Sequence, residues 1–170
     1  MKTFPGFALA VTMAVAGCGT TPEQQALPAV ANAVSPEPGI VSAGRIASGD
    51  IAALRAAGIR HVIDLTPDAE TPGFDEAAAV REAGLAYSNL PLAGAADLTR
   101  DSVLAFDALM KQSERPVLVH CASGNRVGAM AALRAAWVGG LPADDAVAVG
   151  KAWGLASLEG AVRERLAAPE

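Results

Sequence analysis

The sequence has few of the residues that many classes of binding protein and enzyme require. Its 170 residues contain only two histidines and two cysteines, in no arrangement with metal-site spacing, so we expect no bound metal. No glycine-rich dinucleotide fingerprint is present, so we expect no cofactor. Basic residues are also few, because 13 Lys and Arg stand against 18 Asp and Glu, and the resulting net charge of −5 argues against a nucleic-acid partner.

Aromatic residues are scarce as well, at 4% of the chain, although hydrophobic residues reach 52%. The core must therefore consist mainly of Val, Leu, Ile and Ala, and small side chains of this kind favour closely packed helices. A chain of 170 residues forms one compact domain more readily than two.

The first residues have the features of an export signal. Lys2 precedes an apolar run at residues 7–16, which is too short to span a bilayer. The sequence Val-Ala-Gly-Cys at residues 15–18 resembles the bacterial lipobox, which implies a signal peptide at residues 1–17 and lipidation of Cys18. The alternatives are ordinary signal cleavage and an uncleaved anchor. We expect an exported protein, anchored by this lipid alone to the bacterial outer membrane, or located in the periplasm.

Residues 18–38 are rich in Pro, Thr, Ser and small residues without a sustained period, so we interpret them as a flexible tether. We place the folded domain at residues 39–168. Within it, β-branched and apolar segments alternate with helical segments, which predicts an α/β domain with a mostly parallel central sheet and a helical C-terminal part. The predicted strands cover residues 59–65, 85–90 and 116–120, and the predicted helices cover residues 48–57, 74–83, 101–112, 126–138, 142–153 and 157–166.

The strongest chemical signal is the loop HCASGNR, residues 120–126, between an apolar strand and a helix. Ligands bind beyond the carboxyl ends of strands in such sheets, and Cys121 lies at that edge. A short glycine-containing loop lets backbone N–H groups converge on an anion, and the helix adds its positive N-terminal end. Arg126 adds a planar cation suited to a bidentate oxyanion contact. We therefore predict a thiolate at Cys121 and oxyanion binding by the residues that follow it, Ala122, Ser123, Gly124, Asn125 and Arg126.

His120 precedes the cysteine and has two interpretations. It either supports Cys121 by contacting its carbonyl group or thiolate, or it is a hydrogen-bonded core residue at the end of a buried strand. Arg45 and Ser48, before the first helix, are candidates to line the pocket, with a surface position as the alternative.

Residues 120–126 resemble the His-Cys-loop-Arg signature of cysteine-dependent phosphatases. Residues 45–65, RIASGDIAALRAAGIRHVIDL, are similar to the opening of dual-specificity phosphatase-like domains, above all to the bacterial beta-lactamase hydrolase-like, phosphatase-like domain family. The resemblance covers residues 40–167. It implies a protein tyrosine or dual-specificity phosphatase-like fold and hydrolysis of a phosphoester through a cysteinyl-phosphate on Cys121.

The resemblance also implies a general acid. The family places this aspartate on a loop after the strand that precedes the cysteine strand, and Asp97 occupies about that place. The alternative is that Asp97 serves only as a negative charge near a helix N-terminus. Asp68 and Glu70, on the loop after the strand at residues 59–65, are further candidates.

Two departures from the phosphatase pattern keep other functions open. Four residues separate Cys121 from Arg126, where these phosphatases have five, and Val127 follows the arginine, where they commonly have Ser or Thr. The shorter spacing is that of rhodanese-type loops, so a sulfurtransferase or persulfide-handling protein using the same cysteine is the first alternative. A non-catalytic oxyanion-binding module is the second. In each case the expected partner is anionic, either a phosphoester or a sulfane-sulfur donor.

Overall fold

The structure, a computed structural model, describes residues 27–168. The predicted signal peptide, Cys18 and the first part of the predicted tether lie outside the described residues. No helix within residues 27–168 is both long enough and apolar enough to cross a membrane.

The described residues form one five-stranded sheet covered by helices on both faces. The strands are β1 Val34–Glu37, β2 Ile40–Ala43, β3 His61–Asp64, β4 Ala86–Asn89 and β5 Val117–His120. The helices are α1 Ile51–Ala56, α2 Glu76–Glu82, α3 Arg100–Gln112, α4 Asn125–Trp137, α5 Ala143–Ala152 and α6 Glu159–Ala167. The strand order is β1-β2-β5-β3-β4, and only the β1–β2 pair of this sheet is antiparallel. The predicted α/β class, mostly parallel sheet and helical C-terminal part are confirmed.

The predicted tether needs correction at its C-terminal end, because Val34–Glu37 forms strand β1. This strand pairs with β2 through a tight turn in which Gly39 has a φ of +74°, a left-handed conformation that glycine adopts without strain. Val30, further upstream, is buried in the core. Pro36 lies in β1, and a proline is compatible with an edge strand although it weakens the strand pattern in a sequence. The folded domain therefore begins before residue 39.

Alternation along the strands gives the sheet two faces, which we call the front and the back face. Val119 and Cys121 belong to the hydrophobic core on the front face, which is covered by α3, α4, α5 and α6. Leu118 belongs to a second core on the back face, which is covered by α1 and α2. Because successive side chains of a strand point to opposite faces, His120 points to the back face and Cys121 to the front.

A glycine in α4 allows this helix to approach the chain that follows α5. A Cβ atom on Gly128 would lie 2.1 Å from the backbone nitrogen of Leu155, so no larger residue fits there without a backbone shift. This contact fixes the first turns of α4 and thereby positions the loop between β5 and α4.

Candidate active site

Cys121 lies directly after β5, at the carboxyl edge of the middle strand of the sheet. It is 1% exposed, and its Sγ accepts a hydrogen bond from the backbone N–H of Gly124 (3.2 Å). Its own N–H donates to the carbonyl oxygen of Ala43 on β2 (3.4 Å). The structure thus places the thiol at the floor of the loop, on a backbone fixed by the neighbouring strand.

Gly124 turns the chain from this loop into α4. Its φ of +89° lies in the left-handed region, where residues with a side chain are strained. The helix begins at the next residue and runs for 13 residues. Its positive N-terminal end therefore lies beside the thiol, in a position that favours a bound anion.

Two carbonyl groups of the loop accept hydrogen bonds from residues outside the loop. The carbonyl oxygen of Ala122 accepts from the N–H of Arg45 (3.2 Å), and that of Ser123 accepts from the side-chain Nδ2 of Asn32 (3.3 Å). In a trans peptide the N–H points opposite to the carbonyl group. The next N–H groups along the chain, those of Ser123 and Gly124, therefore point towards the loop interior, as an oxyanion cradle requires.

Only the backbone of Asn125 is available to the loop, because its side chain forms hydrogen bonds with the segment after α5. Its Nδ2 donates to the Oγ of Ser157 (2.7 Å), and its Oδ1 accepts from the N–H of Ala156 (2.8 Å). These contacts join the start of α4 to the segment between α5 and α6.

Arg126, in the first turn of α4, is buried and forms an ion pair with Glu70, which lies at the surface. Its Nη1 and Nη2 donate to the two carboxylate oxygens of Glu70 (2.8 and 2.7 Å), and Nη1 also donates to the carbonyl oxygen of Leu92. The hydrogen bonds to Glu70 raise the pKa of Arg126, and the neighbouring Cys121 thiol adds to this effect. Three of the five guanidinium N–H groups are thus engaged. The Cys121 thiol lies close enough to interact with the same guanidinium group.

Glu70, one of the candidate acids, is better suited to positioning Arg126. Its hydrogen bonds with Arg126 lower the pKa of its carboxyl group, which favours the charged form over a proton donor. Arg45 also contacts Glu70, because its Nη1 donates to the Glu70 carbonyl oxygen (2.8 Å). Arg45 therefore reaches the site through Glu70, whereas Ser48 is exposed in the 3-10 turn Ser48–Asp50.

Asp97 lies in the 3-10 turn Ala95–Asp97, on the loop that leaves β4. Its Oδ2 accepts from the N–H groups of Ala93 (2.6 Å) and Gly94 (3.1 Å). The same loop starts beside Leu92, whose carbonyl oxygen binds Arg126. The loop is therefore attached to the site, while the Asp97 carboxylate is engaged with its own backbone. The role of general acid stays a prediction.

His120 lies on the opposite side of the sheet from the thiol, and its Nε2 contacts two buried carboxylates. It is 2.7 Å from Oε1 of Glu76 and 3.5 Å from Oδ1 of Asp64. The ligand-capable atoms of these three residues all lie within 4.8 Å of one another, so they form a cluster that could hold a metal ion, although no metal-site spacing is present in the sequence. The sequence did not reveal the cluster because its members come from separate segments, with His120 and Glu76 44 residues apart.

Comparison with known proteins gives one family. Residues 32–138 match the phosphatase-like domain of the beta-lactamase hydrolase-like protein. A beta-lactamase hydrolase-like protein of Xylella fastidiosa is 41% identical over 101 residues, which cover 57% of this chain and 23% of that protein. This chain matches only about a quarter of the length of such curated relatives.

Solved structures with the same fold include two candidate phosphatases. The one from Neisseria meningitidis is 26% identical with a TM-score of 0.66, and the match covers 79% of this chain and 95% of that one. The one from Shewanella putrefaciens is also 26% identical, with a TM-score of 0.63 and coverage of 80% and 91%. The predicted phosphatase-like fold is confirmed by these matches.

Proposed function

Because the chain belongs to the beta-lactamase hydrolase-like, phosphatase-like domain family, we propose that it is a cysteine-dependent phosphatase of the protein tyrosine or dual-specificity kind. Family and fold support a phosphatase-like hydrolase. The observation that carries the proposal is the buried Cys121 thiol, which accepts the Gly124 N–H (3.2 Å) at the N-terminus of α4. A thiol held in this way is suited to act as a nucleophile next to an anion-binding loop.

In the proposed reaction the Cys121 thiolate attacks the phosphorus of the bound phosphoester. An S–P bond forms while the P–O bond to the leaving group breaks. The loop N–H groups from Ala122 to Arg126 and the free edge of the Arg126 guanidinium bind the phosphoryl oxygens as their negative charge is redistributed. Water then attacks the phosphorus of the cysteinyl-phosphate, the S–P bond breaks, and phosphate and the thiolate are released.

Asp97 is the proposed proton donor to the leaving oxygen, and its carboxylate then accepts a proton from the attacking water. Its Oδ2 must first leave the N–H groups of Ala93 and Gly94. The reaction therefore requires the loop around Ala95–Asp97 to move when substrate binds.

Sulfur transfer is the second candidate, favoured by the four residues between Cys121 and Arg126 and by Val127 in place of a hydroxyl residue. In this case the Cys121 thiolate attacks the outer sulfur of thiosulfate and releases sulfite. The resulting persulfide passes its outer sulfur to cyanide, which gives thiocyanate and the thiolate. The same nucleophile and the same anion cradle serve both reactions.

One paired experiment separates these functions. The purified full-length chain is assayed with an aryl phosphate and, separately, with thiosulfate and cyanide, and mass spectrometry of rapidly quenched samples identifies the adduct on Cys121. Phosphate release with a phosphoryl adduct, both lost in Cys121→Ser, is the expected result. Cys18→Ser, which removes the other cysteine of the chain, is the matched control and should retain activity.

The other outcomes of this experiment are equally informative. A persulfide adduct and thiocyanate formation without phosphate release would replace the phosphatase by a sulfurtransferase. Binding of inorganic phosphate without either activity, measured by calorimetry, would leave an oxyanion-binding module.

The export and lipid anchor inferred from residues 15–18 complete the proposal. Mass spectrometry of the mature protein from a bacterial host should show a lipid-modified N-terminus at Cys18. An unmodified N-terminus at another position would contradict the lipid anchor.

A further inference from the structure

Three titratable side chains outside the candidate active site meet on the back face of the sheet. Asp64 ends β3, His120 ends β5 and Glu76 begins α2. Asp64 and His120 are direct partners in the parallel register, so their side chains project side by side. The loop from β3 to α2 returns to the same edge and places Glu76 against the imidazole ring.

The cluster is buried and combines two carboxyl groups with a single imidazole ring. Asp64 is 4% exposed, Glu76 is 5% exposed and His120 is 1% exposed. Among the described residues His120 is the ion-pair partner of both carboxylates, and the further contacts of Asp64 are with neutral donors of Thr66, Tyr87 and Asn89. Burying an uncompensated charge is costly, so this arrangement favours a bound cation.

The histidine is also incompletely satisfied by the protein. Its Nδ1 is buried and has no hydrogen-bond partner in the part of the chain that the structure describes. Nδ1 is therefore unpaired in every form of the ring, as a donor when it carries a proton and as an acceptor when it does not. With the proton on Nδ1, the Nε2 lone pair faces both carboxylates, an arrangement in which a cation between them can be coordinated by all three groups.

The surroundings of the cluster provide orientation and access. The Asp64 carboxylate accepts from the N–H of Thr66 (2.7 Å) and from the hydroxyl group of Tyr87 (2.9 Å), contacts of the kind that orient metal ligands. Asp64 and Glu76 also line a cavity of about 570 Å³ that opens to solvent. A hydrated ion has a path to the ligand atoms through this cavity.

We propose that Asp64, Glu76 and His120 bind one divalent transition-metal ion, with zinc as the best match. One imidazole nitrogen and two carboxylate oxygens form a donor set that zinc accepts, and the cavity supplies water for a further position. The site is separate from Cys121, because residues 120 and 121 point to opposite faces. It does not depend on the proposed phosphatase activity.

A metal ion here would hold both ends of the loop at residues 65–75. This loop carries Glu70, whose carboxylate binds Arg126 (2.7 Å). The ion therefore acts as a structural clamp on the loop that positions the arginine of the front face.

The test uses the full-length chain, stripped of metal with a chelator and titrated with zinc chloride by calorimetry. One ion per chain and a raised Tm are expected for the wild type. Glu76→Gln should weaken zinc binding by at least about 100-fold, since removing an orienting group alone costs about 10- to 100-fold. Asp68→Asn is the matched control, because Asp68 lines the same cavity outside the cluster. It should bind zinc as the wild type does.

Cobalt(II) distinguishes this site from binding at a thiol. Coordination by nitrogen and oxygen gives d–d absorption without a thiolate charge-transfer band, and Cys121→Ser should leave the spectrum unchanged. A thiolate band, loss of binding in Cys121→Ser, or no zinc binding by the wild type would each overturn the proposal. Circular dichroism of metal-free Glu76→Gln checks its fold, and Asp64→Asn serves as the second ligand variant if Glu76→Gln is unfolded.

Discussion

The two ends of one peptide unit, at His120 and Cys121, lie in environments of opposite polarity. On the front face the Cys121 thiol meets an N–H donor from Gly124 (3.2 Å), the end of α4 and a guanidinium group. On the back face the His120 ring meets two carboxylates, at 2.7 and 3.5 Å. The front loop presents hydrogen-bond donors and is suited to bind an anion. The back cluster presents carboxylate oxygens and is suited to bind a cation.

This difference shows how a sheet edge can support two sites without mixing them. Strand alternation sends neighbouring side chains to opposite faces, so the sheet itself separates the two charge distributions. The segment at residues 65–76 touches both, because Glu70 contacts Arg126 and Glu76, the first residue of α2, contacts His120. Variants that alter one face should therefore affect the other mainly through this segment.

The largest effect is expected at the front face, from Arg126→Lys. A lysine cannot reproduce the planar fork that binds Glu70 and an oxyanion together, so kcat/KM for an aryl phosphate should fall by about 100- to 1,000-fold. Arg134→Lys is the matched control on the same helix, because Arg134 pairs with Asp107 (2.8 Å) away from the loop. Equal losses in the two variants would show that the effect comes from folding rather than from the site.

Asp97→Asn tests whether Asp97 acts as the general acid for the reaction at Cys121. Removing a general acid should lower kcat by about 100-fold for a phosphoester with a poor leaving group, and much less for an activated aryl phosphate. The amide oxygen of asparagine can still accept from Ala93 and Gly94, so the loop should remain folded. Similar kcat values for wild type and variant on both substrates would reduce Asp97 to a loop-capping residue.

At the back face, Tyr87→Phe is expected to cost about 2 kcal/mol in the free energy of unfolding, because it removes a hydrogen bond to a buried carboxylate. Burial raises the pKa of Tyr87, and Asp64 adds to this, so the hydroxyl group remains a donor. Ser88→Ala is the control on the same strand. It removes a bond to the His61 ring (2.9 Å) and should cost about 1 kcal/mol. Urea unfolding of both variants measures the difference, and a cost for Tyr87→Phe no larger than that for Ser88→Ala would contradict a strong Tyr87–Asp64 hydrogen bond.

The smallest effect, a pH-dependent change in stability, is expected for Glu70→Gln, which alters the contact between the two faces. Arg126 lowers the pKa of Glu70, so the stabilisation from this carboxylate is fully present above the unfolded value of about 4.3. It is lost as the pH falls through the lower folded value. The stability difference between wild type and Glu70→Gln should therefore shrink from pH 6 to about pH 3. Glu114→Gln, in an exposed pair with Arg60, should show a weaker dependence in the same thermal-unfolding series.

The two faces also differ in how far the sequence predicts them. The loop from Cys121 to Arg126 is contiguous, and its strand, glycine and following helix are local signals, so its position and the α/β class could be predicted. The back cluster joins Asp64, Glu76 and His120 through strand register and a loop return, which no local pattern encodes. The Glu70–Arg126 pair was missed for the same reason, since 56 residues separate its members.

Strand β1 determines how this protein can be produced for such experiments. It covers the outer edge of β2, which would otherwise present unpaired backbone N–H and C=O groups to solvent. A chain shortened to begin at residue 39 would lose this cover, the buried Val30 and the Asn32 contact to Ser123. Such a chain should self-associate through its open edge, so a soluble version should retain Val30 and the residues that follow it.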